Sequence, residues 1–203
     1  MKVCSLIKEN FGNLKGSKIL DVGCGDGVLT NMLARQGCQT SGIDYSLEAI
    51  RYAQLNSDPC LKIDFRQGSV YALPWTDQTF DIVVSSDVIE HLTDVNKFLE
   101  ELVRVTRKGG LVVISTPVRF TERPLDEEHV IEWFPDEFVN VISRHMANAN
   151  FCVSHPVSLM ELQQSRYLFK LLMSIYSLLE NPFLKSDSRW RYFALQYASW
   201  RKL

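Results

Sequence analysis

The stretch Ile19-Leu20-Asp21-Val22-Gly23-Cys24-Gly25-Asp26-Gly27 constrains this chain more than any other, because an apolar strand runs straight into alternating glycines and then into a helix. Glycines at 23, 25 and 27 let the backbone turn tightly and let a ligand approach where a Cβ would collide. The spacing lacks the G-x-G-x-x-G of dinucleotide binders, and the helix N-terminus behind it favours a carboxylate as well as a phosphate. Beginning 17 residues after Gly27, Asp44-Tyr45-Ser46 places a carboxylate at the end of a second strand. In sheets of this type that position meets the two hydroxyls of a ribose, and an ionised carboxylate can accept from both. The strand, the acid at Asp21, the helix and Asp44 together point to a nucleoside ligand.

From Lys18 onward, short β-branched runs alternate with longer amphipathic ones. Strands are expected over 18–22, 39–44, 61–67 and 80–85, and helices over 28–36, 47–55 and 94–106. In the last helix Val95, Phe98, Leu99, Leu102 and Val103 share one face. Gly109-Gly110 is expected to turn the chain into a fifth strand over 111–115. Strands buried on both sides and separated by helices make a parallel sheet with helices on both faces. Beyond them the pattern predicts a helix over 136–148 behind Pro135, a strand over 151–155, a long apolar helix over 161–179 and an aromatic-rich strand within 190–200.

A chain of 203 residues with 46% hydrophobic and 23% charged residues closes one domain without disulfides or a partner. Its five cysteines are odd in number and include no CxxC pair, which fits a reducing, cytoplasmic setting. No run resembles a signal peptide or a membrane span. The formal charge of −2 disfavours nucleic acid and anionic membranes as general partners. The charge is uneven, however: residues 159–203 hold 7 basic and 3 acidic residues, and nine of the aromatics.

The ordered series ILDVGCGDG, GID, GSVYALPW, FDIVVSSDVIEHL and GGLVVISTP resembles the class I S-adenosylmethionine-dependent methyltransferases over about residues 18–117. The resemblance implies a Rossmann-like, doubly wound α/β fold with a seven-stranded, mostly parallel sheet whose last strand is antiparallel. It implies one domain over 1–203, with a cofactor-binding core over about 16–157, a helical insertion over about 158–188 and a final strand over about 190–201. The cofactor would be S-adenosyl-L-methionine, leaving as S-adenosyl-L-homocysteine. Carried over by position, Asp21, Gly23 and Gly25, with Cys24 between the glycines, would line the methionine part. Asp44 would hold the ribose hydroxyls with Tyr45 beside the adenine, Ser69 and Val70 would sit at the adenine edge, and Ser85-Ser86 would meet the amino group. Ser69 stands where the family commonly has Asp, so the adenine amino group would lose a charge-assisted partner.

Methyl transfer needs alignment and, for a poorly acidic nucleophile, a base. His91, after the fourth strand and within one turn of Asp87 and Glu90, is one candidate. His129, in the loop after the fifth strand, is the second. Asp87, Glu90, His91 and His129 also resemble the cation-binding E-x-x-E-H plus distant H of small-RNA terminal-ribose methyltransferases, which share an H-x-x-E-W segment. Ubiquinone-biosynthesis O-methyltransferases carry a similar E-x-x-E-H. Asp87 is shorter than the usual Glu, and no metal ligand is assigned. The expected reaction is transfer to O or N of a small-molecule, saccharide or lipid-linked acceptor. RNA-ribose methylation and a catalytically silent partner subunit are the alternatives. The apolar C-terminal helix would serve as a lid, a dimer contact or a peripheral membrane contact.

Overall fold

The computed structural model of the chain describes residues 2–119, 126, 128–156 and 193–203. Its seven strands are β1 (Lys18–Val22), β2 (Gln39–Asp44), β3 (Asp64–Gln67), β4 (Phe80–Ser86), β5 (Thr106–Pro117), β6 (Asn150–Pro156) and β7 (Phe193–Arg201). They form one sheet in the order β3-β2-β1-β4-β5-β7-β6. All neighbours are parallel except β7, which runs antiparallel to both β5 and β6. The order reverses between β1 and β4, and in open α/β sheets a cleft forms beyond the carboxyl ends at such a point.

Among the described residues, five α-helices, α1 (Lys2–Phe11), α2 (Val28–Ala34), α3 (Leu47–Asn56), α4 (Val95–Val105) and α5 (Pro135–Ser143), cover the sheet. Alternation along the strands decides which face each covers. Leu20, Val83, Val112 and Ile114 join Phe98, Leu99 and Leu102 of α4 and Phe138 and Ile142 of α5 in one cluster. Ile19, Ile82, Val84, Leu111 and Val113 join Leu6 and Ile7 of α1 and Leu29 and Leu33 of α2 in the other. Both faces of the central strands are therefore dry, which explains their near-continuous apolar runs.

Several boundaries differ from the sequence expectation. The third strand starts at Asp64 rather than at 61, because Leu61 N–H closes on Asp58 O and Ile63 N–H on Leu61 O. Gly109-Gly110 lies inside β5 instead of preceding it: a Cβ on Gly110 would stand 2.9 Å from Asp81 O, so the glycine lets two backbones approach at the bulge between Phe80 and Ile82. The helix over 136–148 stops at Ser143, and Asn148 beyond it adopts a left-handed φ of 62°. Helix α1 was not anticipated, although Val3, Leu6 and Ile7 carry helical spacing and are buried. The helical insertion over 158–188 and the start of the final strand at 190–192 lie outside the described residues.

Candidate active site

A cavity of about 520 Å³ opens beyond the carboxyl ends of β1, β2, β3 and β4 and is lined by Gly23, Gly25, Asp44, Tyr45, Ser69, Val70, Tyr71, Asp87, Val88, His91 and Leu92. Its floor is the glycine turn. A Cβ on Gly23 would fall 2.2 Å from Val88 Cγ2, so only glycine lets the turn after β1 meet the segment after β4. A Cβ on Gly25 would meet nothing within 4 Å, and φ is +50° there; this is open space at the cavity wall. Asp44 is held by two backbone donors: Gly25 N–H at 2.9 Å on one oxygen and Ser46 N–H at 2.8 Å on the other. With four lone-pair sites, its carboxylate can still accept from a ligand hydroxyl.

Asp21 stands behind this floor. Thr30 Oγ1 donates to it at 2.6 Å, tying the end of β1 to α2, and burial pushes its carboxyl up to about 6. Cys24 is buried too, and burial raises its thiol. Ser85 donates to Val22 O at 2.9 Å, while Ser86 Oγ accepts from Ser115 at 3.1 Å. Asp21, Cys24, Ser85 and Ser86 thus support the walls, whereas Gly23, Gly25, Asp44, Tyr45, Ser69 and Val70 form them.

The opposite wall is built from side chains. Asp87 has a φ of 55°, and Ile89–His91 follow as a single 3-10 turn. His91 Nδ1 lies 3.0 Å from Glu128 O. A carbonyl can only accept, so Nδ1 carries the proton and the Nε2 lone pair of the neutral ring remains available. Behind His91, the ring of His129 meets it edge-on at 4.9 Å, and its Nδ1 contacts buried Glu132 Oε1 at 2.6 Å. His129 therefore reaches the cavity through His91.

Glu90 is fully buried. Its Oε2 accepts from Thr116 Oγ1 at 3.0 Å, whereas Oε1 has no partner among the described residues. Burial raises the carboxyls of both Glu90 and Asp87. Glu90, His91 and His129 each offer a ligand atom within 4.8 Å of the others, a set that fits a divalent cation; Asp87 is not in it. The Glu90 carbonyl also accepts from Val130 and Ile131 N–H, and Gln196 donates to Pro117 O and Trp133 O, so residues 130–133 are pinned beside this wall.

Tyr71, Val88 and Leu92 are wall residues that the sequence reading did not single out. Tyr71 OH accepts from Thr93 N–H at 3.1 Å and Asp94 N–H at 3.3 Å. Burial opposes ionisation of this phenol, but the hydrogen bonds at Thr93 and Asp94 outweigh it and hold it below the usual tyrosine range. The spacing alone carried no signal for this contact, which depends on how two distant loops fold toward each other.

Residues 20–114 match the family model described as a methyltransferase domain. A ubiquinone biosynthesis O-methyltransferase of Rhodopseudomonas palustris is 34% identical over 164 residues, covering 74% of this chain and 64% of that protein. The chain spans between half and two thirds of the length of the first curated relatives it matches, 50% and 64% in two of them. Among solved structures, a phosphoethanolamine N-methyltransferase of Haemonchus contortus in complex with S-adenosyl-L-methionine superposes with a TM-score of 0.72 at 17% identity, covering 98% of this chain and 51% of that one. An S-adenosylmethionine-dependent methyltransferase of Mesorhizobium loti gives a TM-score of 0.64 at 16% identity, covering 100% and 98%.

Proposed function

We propose, from the premise that this chain carries a class I methyltransferase domain over residues 20–114, that it moves a methyl group from S-adenosyl-L-methionine to a hydroxyl of a small-molecule acceptor. The observation that carries the reading is the orientation of His91: its Nδ1–H is spent on Glu128 O while its ring lines the cavity that Gly23, Gly25 and Asp44 floor.

The cofactor, when bound, supplies a sulfonium methyl open to in-line displacement. Gly25 leaves room for it, and Asp44 offers acceptors for its ribose. His91 takes the proton of the acceptor hydroxyl on Nε2 as the C–O bond forms and the C–S bond breaks, leaving S-adenosyl-L-homocysteine and an imidazolium. The Glu90 carboxyl, with an oxygen within 4.8 Å of a His91 ring nitrogen, is placed to favour that positive charge. A divalent cation held by Glu90, His91 and His129 would instead make the acceptor hydroxyl more acidic.

The O-methyltransferase names of the curated relatives favour oxygen over nitrogen, and exposed Val130 and Ile131 beside His129 favour an apolar acceptor. Incubation with methyl-labelled cofactor and a panel of apolar phenols, with a short RNA as comparison, tests this. Label in an organic-extractable ether is the expected result. No heat with S-adenosyl-L-homocysteine in calorimetry, or label only in RNA, overturns it.

A further inference from the structure

We infer that Tyr71 is a positioning residue that straps the cavity closed over its nucleoside ligand; this rests on the functional reading above. The segment carrying Ser69, Val70 and Tyr71 follows β3, and the segment carrying Asp87 to Asp94 follows β4. In the sheet, β2 and β1 lie between those strands, so the two segments spring from positions three strand spacings apart, about 14 Å. The glycine turn and Asp44 occupy the gap. Tyr71 crosses it: its ring lines the cavity, and its oxygen accepts from Thr93 N–H at 3.1 Å and Asp94 N–H at 3.3 Å. With both lone-pair directions taken, the phenol proton is left for Thr93 Oγ1, 3.4 Å away.

The chain after Tyr71 has a separate attachment to α4, outside the cavity. Glu101 Oε2 accepts from Leu73 N–H at 2.7 Å, and Arg104 donates to Leu73 O, Trp75 O, Glu101 and Asp77. Fold integrity at this edge is thus secured without the phenol. Among the described residues, the phenol oxygen supplies hydrogen bonds that join the adenine-edge segment to the wall that carries His91, beside the apolar cluster that Val70 and Leu73 share with Ile89. Removing the oxygen while keeping the ring loosens the two walls and leaves that packing in place.

Tyr71→Phe separates these roles. Thr93 and Asp94 are exposed, so the Tyr71 oxygen is what shields their amides. The expected result is exchange at those two amides at least tenfold faster, a dissociation constant for S-adenosyl-L-homocysteine raised roughly tenfold, and a thermal midpoint lowered by no more than about 3 °C. The affinity change is the part that a merely structural tyrosine would not produce. Unchanged exchange, or unchanged affinity in a wild type that binds, overturns the strap alone. A wild type that gives no heat with the homocysteine product overturns the functional reading, and the strap loses its ligand even where exchange responds.

Discussion

The two walls of the cavity are made of different material. Around Gly23, Gly25 and Asp44 the wall is backbone, and its polar groups are paired before any ligand arrives: Gly25 and Ser46 amides already sit on Asp44, and Gly23 and Cys24 N–H both close on Ile43 O. Around Asp87 to His91 and His129 the wall is side chain, with a left-handed backbone at Asp87, a Glu90 oxygen that has no partner among the described residues and carboxyls raised by burial. Strain and incomplete pairing cost folding free energy and persist where surrounding structure enforces them. The first wall is built to fit a shape. The second holds groups whose protonation can change, which is what the proposed transfer to a hydroxyl requires.

The sharpest way to break this contrast is to truncate one side chain on the second wall. His91→Ala is expected to lower turnover by roughly 10²- to 10⁴-fold while changing affinity for S-adenosyl-L-homocysteine by less than about threefold, read by label transfer and calorimetry. Equal losses in both would mean that His91 shapes the cofactor site instead. His129→Ala should slow turnover by a smaller factor, because His129 reaches the cavity only through its edge-on contact with His91.

On the backbone wall the informative changes are additions. Gly23→Ala places a methyl 2.2 Å from Val88 and strains a φ of +74°, so it should cost on the order of 3 kcal/mol and lower the urea midpoint as well as binding. Gly25→Ala meets no protein atom, so its stability cost should stay near the 1–2 kcal/mol roughly expected for a left-handed Ala, while the methyl occupies ligand space. Loss of affinity with only a modest midpoint change at Gly25, against loss of both at Gly23, is the expected pair of results.

The same contrast explains what could be read without coordinates. The first wall was legible because its chemistry is local: a strand, a glycine turn and a carboxylate at the next strand end are written within 26 residues, and their roles follow from backbone geometry. The antiparallel last strand came with the family resemblance, whereas the strand order emerges only from the pairing in the sheet, and central strands were legible because burial on both faces leaves continuous apolar runs. The second wall was only half legible. His91, Glu90 and His129 could be nominated from residue type, but the Glu128 carbonyl that sets the His91 tautomer and the Tyr71 strap join segments 37 and 22 residues apart that meet only in the fold, while the Glu132 contact at 2.6 Å is local to the H-x-x-E-W segment. Helix α1 was not legible for a simpler reason: it is 10 residues long and its apolar face rests on only a few positions, Val3, Leu6 and Ile7, flanked by Lys and Glu.

Asp21 shows that even the prepared wall carries a cost. The unfolded chain releases this proton near 3.8 and the folded chain near 6, because burial disfavours the carboxylate. Between those values the folded state holds more protons than the unfolded one, so stability is greatest below pH 4 for this group and falls as pH rises toward 6, by roughly 3 kcal/mol. Asp21→Asn keeps an acceptor for Thr30 Oγ1 and removes the charge. Its urea midpoint relative to wild type should climb between pH 4 and 6 and stay flat above; a constant difference across that range would show that Asp21 is solvated as easily folded as unfolded.

The smallest expected effect is a gain, at Ser69. Ser69 Oγ accepts from Tyr71 N–H at 3.2 Å, and on the proposed reading its hydroxyl is the group that would face the adenine edge. A carboxylate there could keep the Tyr71 amide on one oxygen and offer the other to the adenine amino group as a charge-assisted acceptor, worth roughly 1 kcal/mol more than a neutral one. Ser69→Asp should therefore tighten S-adenosyl-L-homocysteine about fivefold. S-Inosyl-L-homocysteine, whose carbonyl replaces the amino group, should gain nothing. If both ligands tighten equally, the added charge acts on the cavity as a whole, and the adenine edge does not lie at Ser69. If neither does, the new carboxylate is held by the Tyr71 amide in an orientation that does not reach the ligand.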